Sequence, residues 1–120
     1  MLATVEIVEL VARRAAAGDL PHLVVDPVMV ASSGDRLLAE DAEAAYRELL
    51  FPLAEVITPN LLEASVIVGR LLENADDAAA AAGELSAEGD AWVVVKGGHL
   101  DGSATDAVAH HTQVTTLTSE

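Results

Sequence analysis

Apolar residues recur at helical spacing between Thr4 and Ala17, at Val5, Val8, Val11, Ala12 and Ala15, and this periodicity predicts a first helix. Thr4 is placed to cap it, Arg13 and Arg14 lie near the carboxyl end of its dipole, and Gly18 ends it. After Pro21 the pattern shortens to Leu23-Val24-Val25, an aliphatic run too brief for a helix and suited to a strand covered on both faces. It ends at Asp26-Pro27. Val28 to Arg36 predicts a loop, with turn chemistry at Ser32-Ser33-Gly34-Asp35. A second helix follows from about Glu40 to Leu50, with Ala42, Ala45, Tyr46 and Leu49 on its inner face and Pro52 closing the segment. Val56-Ile57 reads as a second strand. It leads through Thr58-Pro59-Asn60 into a helix from Leu61 to Val68 that Gly69 stops. An Ala-rich helix from Asn74 to Ala87 is broken by Gly89, and Trp92-Val93-Val94-Val95 makes a third buried strand before a junction at Lys96-Gly97-Gly98-His99. Beyond Leu100, Asp101-Gly102-Ser103 signals a turn, and Ala107 to His111 and Val114 to Leu117 predict a hairpin or two edge strands.

Alternating strands and helices imply right-handed crossovers and a mostly parallel sheet flanked by helices, hence an α/β fold. Residues 1–120 read as one domain at most, since no repeat or linker interrupts the alternation and a domain commonly takes about 100 to 200 residues. Such a sheet gathers the carboxyl ends of its strands, near residues 23–26, 55–58 and 91–96, on one edge, where ligands bind in open α/β sheets. Three polar junctions therefore converge there. They are Asp26-Pro27-Val28-Met29, Thr58-Pro59-Asn60 with Glu63, and Lys96-Gly97-Gly98-His99.

Composition narrows the chemistry. The hydrophobic content of 52% is carried by Ala, Val and Leu, with one Trp, one Tyr and one Phe, so the core is built from small aliphatic layers. A formal net charge of -14 argues against nucleic acid or an anionic membrane surface as a partner. Any anionic ligand must meet local cations. Of Arg13, Arg14, Arg36, Arg47, Arg70 and Lys96, only Lys96 falls at a strand-to-loop junction. There is no cysteine, which permits a reducing cytoplasm. Glu6 and Glu9 interrupt the first apolar pattern, which is unlike a signal peptide, and no apolar run reaches the roughly 18 residues of a membrane span. A soluble cytoplasmic protein is the expectation.

Each junction has an ordinary explanation. Asn60-x-x-Glu63 fits a capping box, Asp26 fits a turn before proline, Lys96 fits a solvated strand end, and Gly97-Gly98 fits a simple turn. Taken together they also match what a metal–polyphosphate ligand asks of a site: hard oxygen ligands for Mg²⁺, a point charge for phosphate, and backbone that can be approached closely. His99 fits a hydrogen-bonding loop residue better than a base. His110 and His111, adjacent on a predicted strand, are expected to point to opposite faces, against a shared metal site.

The stretches Val25-Asp26-Pro27-Val28-Met29-Val30, Ser33-Gly34, Thr58-Pro59-Asn60-Leu61-x-Glu63-Ala64 and Val95-Lys96-Gly97-Gly98-His99-Leu100 occur in this order. In that order and spacing the chain resembles the hydroxymethylpyrimidine/phosphomethylpyrimidine kinases of thiamine biosynthesis, a branch of the ribokinase-like fold. The resemblance implies part of a three-layer ribokinase-like domain and ATP with Mg²⁺ as cofactors. It also implies an aminopyrimidine alcohol, or its monophosphate, as substrate. It places Asn60, Thr58, Lys96 and Gly97 beside the nucleotide phosphates, Asp26 and Glu63 about the metal ion, and Val28 close to the pyrimidine. Ser32 stands where the family often has a basic residue. Family members are longer, and their presumed base and anion hole lie on a glycine-rich G-T-G-C-type segment beyond the counterpart of Glu120. The implied expectation is the middle of a kinase, inactive alone and associating with itself or with a complementing fragment. Pyridoxal kinases share the D-P-V and T-P-N elements, a non-catalytic remnant would keep the same fold, and a receiver-like phospho-acceptor shares the Asp, Thr and Lys at strand ends.

Overall fold

The computed structural model describes residues 4–29, 40–100, 103–111 and 113–119. The loop expected between Val28 and Arg36 lies, from residue 30 onward, outside the described residues, as does the Asp101-Gly102 turn.

Helix α1, Val5–Ala16, begins where the sequence predicts, with the Thr4 hydroxyl accepting from the Ile7 N–H at 3.3 Å. Strands β1, Val24–Val25, and β2, Val56–Ile57, are short. Helices α3, Leu61–Val68, and α4, Ala75–Ala87, are each capped by an asparagine, Asn60 and Asn74, and α3 ends on Gly69 in the left-handed region at φ 74°. The helix expected from Glu40 to Leu50 differs. It is α-helical only over Glu40–Ala45 (α2), then continues as a π-helical turn over Tyr46–Leu50 and a 3-10 turn over Phe51–Leu53. The wider π turn bonds each N–H one residue further back and so shifts the phase of the inner face. Leu50 is consequently buried at 1% exposure, while Leu49, expected inside, is 40% exposed.

The sheet runs β1-β2-β3-β4-β5, with β3 spanning Trp92–Leu100, β4 Ser103–His110 and β5 Gln113–Ser119. The first three strands are parallel and the last two antiparallel, so the hairpin expected past Leu100 extends a mixed sheet. One expectation is overturned here. Lys96-Gly97-Gly98-His99 is not a strand-to-loop junction but part of β3, because β4 supplies an antiparallel partner that keeps the ladder going. The two glycines are absorbed in a bulge, three steps on β3 from Lys96 to His99 against two on β4 from Asp106 to Ala104.

Along the strands burial alternates. Val25, Ile57, Val93, Val95, Ala107 and Ala109 join Ala78, Ala81, Ala82 and Leu85 of α4 in the core. The in-register set Val24, Val56 and Trp92 lies on the opposite face, where Val24 is 58% and Trp92 46% exposed. Trp92 stacks on His110 with ring centroids 4.2 Å apart. His111 is not on the strand as predicted. It turns at φ 55° just past it, and its ring comes to 4.1 Å from that of His110 rather than to the other face.

Buried Ser86 ties the lower ends of these elements together. Its hydroxyl donates to the Ala91 carbonyl at 2.9 Å and accepts from the His111 N–H at 3.0 Å. Ser86→Ala leaves both backbone groups without that partner and is expected to lower unfolding free energy by about 1–3 kcal/mol at unchanged urea m-value. A loss below about 0.5 kcal/mol, the range of an ordinary surface change, would contradict this role.

Candidate functional site

Parallel pairing of β1, β2 and β3 brings their carboxyl ends to one edge. The Thr58 N–H donates to the Val25 carbonyl at 3.0 Å, and the Lys96 N–H donates to the Pro59 carbonyl at 2.9 Å. Asn60 and Lys96 form an isolated parallel bridge beyond β2. Buried Pro27 and Pro59 stiffen the turns leaving β1 and β2. These backbone constraints carry the side chains with them. The Lys96 ammonium stands 3.4 Å from Asp26 Oδ1 with both side chains about half exposed, 45% and 55%. Lys96 is the cation that the described part of this edge presents, since Arg13 and Arg14 lie in the last turn of α1, Arg47 pairs with Glu88 just past α4, and Arg70 pairs with Glu84 of α4.

Asn60 and Glu63 form a full capping box. The Asn60 side chain accepts from the Glu63 N–H at 2.8 Å, and Glu63 Oε1 accepts from the Asn60 N–H at 2.9 Å. Glu63 is only 3% exposed. The first use of its carboxylate is therefore to fix the Thr58-Pro59-Asn60 turn. Thr58 and Asn60 are half-buried at the edge. Val28 lies one proline beyond Asp26, its N–H donating to the Asp26 carbonyl at 2.9 Å, with Met29 after it fully buried.

The Gly97 N–H, which the sequence offers to a phosphate, is already engaged. It donates to Asp106 Oδ1 at 3.1 Å. Asp106 was not legible as a site residue because its placement follows from the pairing of Lys96 with Asp106 across β3 and β4. The sequence signal is a lone acid within a stretch of otherwise small, uncharged residues, Ala104 to Ala109.

The arrangement offers one ammonium, a neighbouring exposed carboxylate, and the oxygens of Thr58 and Asn60. That set suits a phosphate chain carrying a hydrated cation. Mg²⁺ usually keeps several waters and binds through one or two carboxylates together with substrate phosphates rather than a full protein cage. Among the described residues no group of three His, Asp or Glu converges, and Asp26 is the carboxylate open to such an ion. A concavity of about 350 Å³ lies elsewhere, between Glu40, Glu43, Arg47 and Ile67. Its Arg47 guanidinium is tied to Glu88 and to the Ile67 carbonyl. The Glu88 hydrogen bond, opposed by burial, holds it protonated beyond its ordinary range. That concavity offers a phosphate no uncommitted cation, so the strand edge is the better candidate. No described helix is long and apolar enough to cross a membrane.

Known proteins share this architecture. The family model for phosphomethylpyrimidine kinase matches residues 1–120. A hydroxymethylpyrimidine/phosphomethylpyrimidine kinase of Streptomyces coelicolor is 44% identical over 106 residues, covering 88% of this chain and 39% of that protein. Among solved structures, an ADP complex of Bacillus subtilis pyridoxal kinase superposes with a TM-score of 0.88 at 41% identity, over 100% of this chain and 46% of the other. A phosphomethylpyrimidine kinase from Clostridium difficile 630 gives a TM-score of 0.87 at 37% identity, over 100% of this chain and 52% of the other.

Proposed function

The chain belongs to the phosphomethylpyrimidine kinase family, and from that membership we propose that its strand edge is the phosphate-binding half of a vitamin-kinase site. The reaction we assign is ATP-dependent phosphorylation of hydroxymethylpyrimidine and then of its monophosphate, in the cytoplasm, as a step of thiamine biosynthesis. The observation that supports it most is the Lys96 ammonium 3.4 Å from Asp26, with Asn60 bridged to the same residue.

In this reading Lys96 offsets charge on the transferred phosphoryl group, which is the larger part of what a protein contributes to phosphoryl transfer. Thr58 and Asn60 hydrogen-bond the phosphate chain. Gly97 contributes by its lack of a side chain, leaving room beside Lys96. Asp26 faces the hydrated metal ion, and Glu63 both holds the Asn60 turn and supports that cation region with its charge. Val28, two residues past Asp26, lies toward the pyrimidine. Mg²⁺, when bound, would neutralise phosphate charge and orient the chain of phosphates.

A second reading, with a pyridoxal-type alcohol as substrate, is favoured by the likeness to Bacillus subtilis pyridoxal kinase.

The chain spans 39% of the Streptomyces coelicolor relative, so the whole activity is assigned to a longer assembly. These 120 residues hold no G-T-G-C segment. Loss of an oxyanion-type donor alone typically costs about 10²- to 10³-fold in rate. The half-exposed sheet face around Val24 and Trp92 supports association with a second copy or with a complementing segment. The purified chain, given ATP, Mg²⁺ and either alcohol, is expected to show no turnover above a Lys96→Ala control and to migrate as more than a monomer. Monomeric protein with turnover well above that control would contradict both expectations.

A further inference from the structure

The bulge in β3 leaves the Gly97 N–H to a side chain rather than to the ladder, and the acceptor is the half-buried Asp106 carboxylate at 3.1 Å. Asp106 is also the cross-strand partner of Lys96. The Lys96 backbone is thus pinned from two sides: its N–H bonds the Pro59 carbonyl at 2.9 Å, and the next amide bonds Asp106. A Gly-Gly pair has the greatest backbone freedom of any dipeptide. Without an acceptor opposite it, the bulge could move the Lys96 carbonyl and side chain together.

We propose that Asp106 is a positioning residue that holds the Lys96-Gly97 bulge and so fixes where the Lys96 ammonium meets a phosphate. The proposal rests on the kinase reading for its ligand but not for its geometry. The carboxylate acts as an acceptor, and a neutral carbonyl in the same place serves. The Gly97 bond holds one carboxylate oxygen of Asp106 on the backbone.

The test compares the full chain with Asp106→Ala and Asp106→Asn, reading Gly97 amide exchange by NMR, Mg·ADP affinity by calorimetry, and thermal midpoint. Loss of a hydrogen bond to a charged acceptor predicts about tenfold faster Gly97 exchange and about tenfold weaker Mg·ADP binding in Asp106→Ala. Asp106→Asn, which keeps an acceptor, is expected to restore both to within about threefold. If Asp106→Ala fails to fold, Asp106→Glu takes its place, since it keeps the charge but moves the carboxylate by one methylene. Unchanged Gly97 exchange overturns the proposal. So does unchanged Mg·ADP affinity alongside faster exchange, or an Asp106→Asn variant as impaired as Asp106→Ala. A wild-type chain that binds no Mg·ADP defeats the kinase reading instead, and the Gly97 amide alone then decides whether Asp106 holds the bulge.

Discussion

Lys96→Ala is expected to weaken Mg·ADP or Mg·ATP binding by the chain about ten- to hundredfold, the worth of one charge-assisted hydrogen bond to phosphate. Stability should barely change. The ion pair with Asp26 is about half exposed at 3.4 Å, and such surface pairs contribute roughly 0–1 kcal/mol. Arg70→Ala is the matched control, since Arg70 also sits in an exposed ion pair, with Glu84 at 2.7 Å, but far along the chain from any strand end. It removes the same unit charge from a chain of net charge -14, so a general field effect would weaken nucleotide binding equally in both variants. A specific site predicts loss in Lys96→Ala only. Equal losses would make Lys96 an ordinary solvated residue.

Glu63 gives the second large effect, because it separates the two meanings of Asn60-x-x-Glu63. Glu63→Ala removes the acceptor of the half-buried Asn60 N–H and leaves a cavity at a position 3% exposed, and should cost about 1–3 kcal/mol of stability. Glu63→Gln keeps an oxygen where Oε1 stands. If the carboxylate serves only as a cap, Gln should restore stability to within about 1 kcal/mol and leave the Mg²⁺ dependence of ADP binding unchanged. If its charge also supports the cation region, Gln should restore stability yet raise the Mg²⁺ concentration needed for half-maximal binding. The kinase reading predicts the second pattern. Urea unfolding and a Mg²⁺ titration at fixed ADP distinguish them.

Much of the frame was legible because local chemistry agrees with tertiary packing. Thr4, Asn60 and Asn74 cap the helices their positions predict, and Gly69 stops α3 in the left-handed conformation that glycine tolerates. The strands Val24–Val25 and Val56–Ile57 are two residues each, yet the aliphatic runs and the prolines after them were sufficient to place both. The failures are of another kind, since each depends on a partner distant in sequence. Continuation of β3 through two glycines depends on β4, and the prominence of Asp106 depends on the register of that pairing. Leu50 replaces Leu49 in the core because a π turn intervenes, which 3.6-residue periodicity does not reveal. His110 and His111 meet because the chain turns at His111 with positive φ, where an alternating strand would have separated them. The site residues sit between these cases. Their convergence on one edge follows from α/β topology and the engagement of Glu63 by the cap follows from the Asn60-x-x-Glu63 spacing, whereas the engagement of Gly97 by Asp106 depends on the β3–β4 register and is seen only in the structure.

The central claim is that Asp26, Thr58, Asn60 and Lys96 form a nucleotide-phosphate edge. Backbone amide shifts of the ¹⁵N-labelled chain, titrated with Mg·ADP, address it residue by residue. The account predicts saturable shifts concentrated at Thr58, Asn60, Lys96 and Gly97, lost in Lys96→Ala and retained in Arg70→Ala. Saturable shifts confined to the concavity around Arg47 and Ile67, or none at the strand edge with millimolar Mg·ADP, would contradict it.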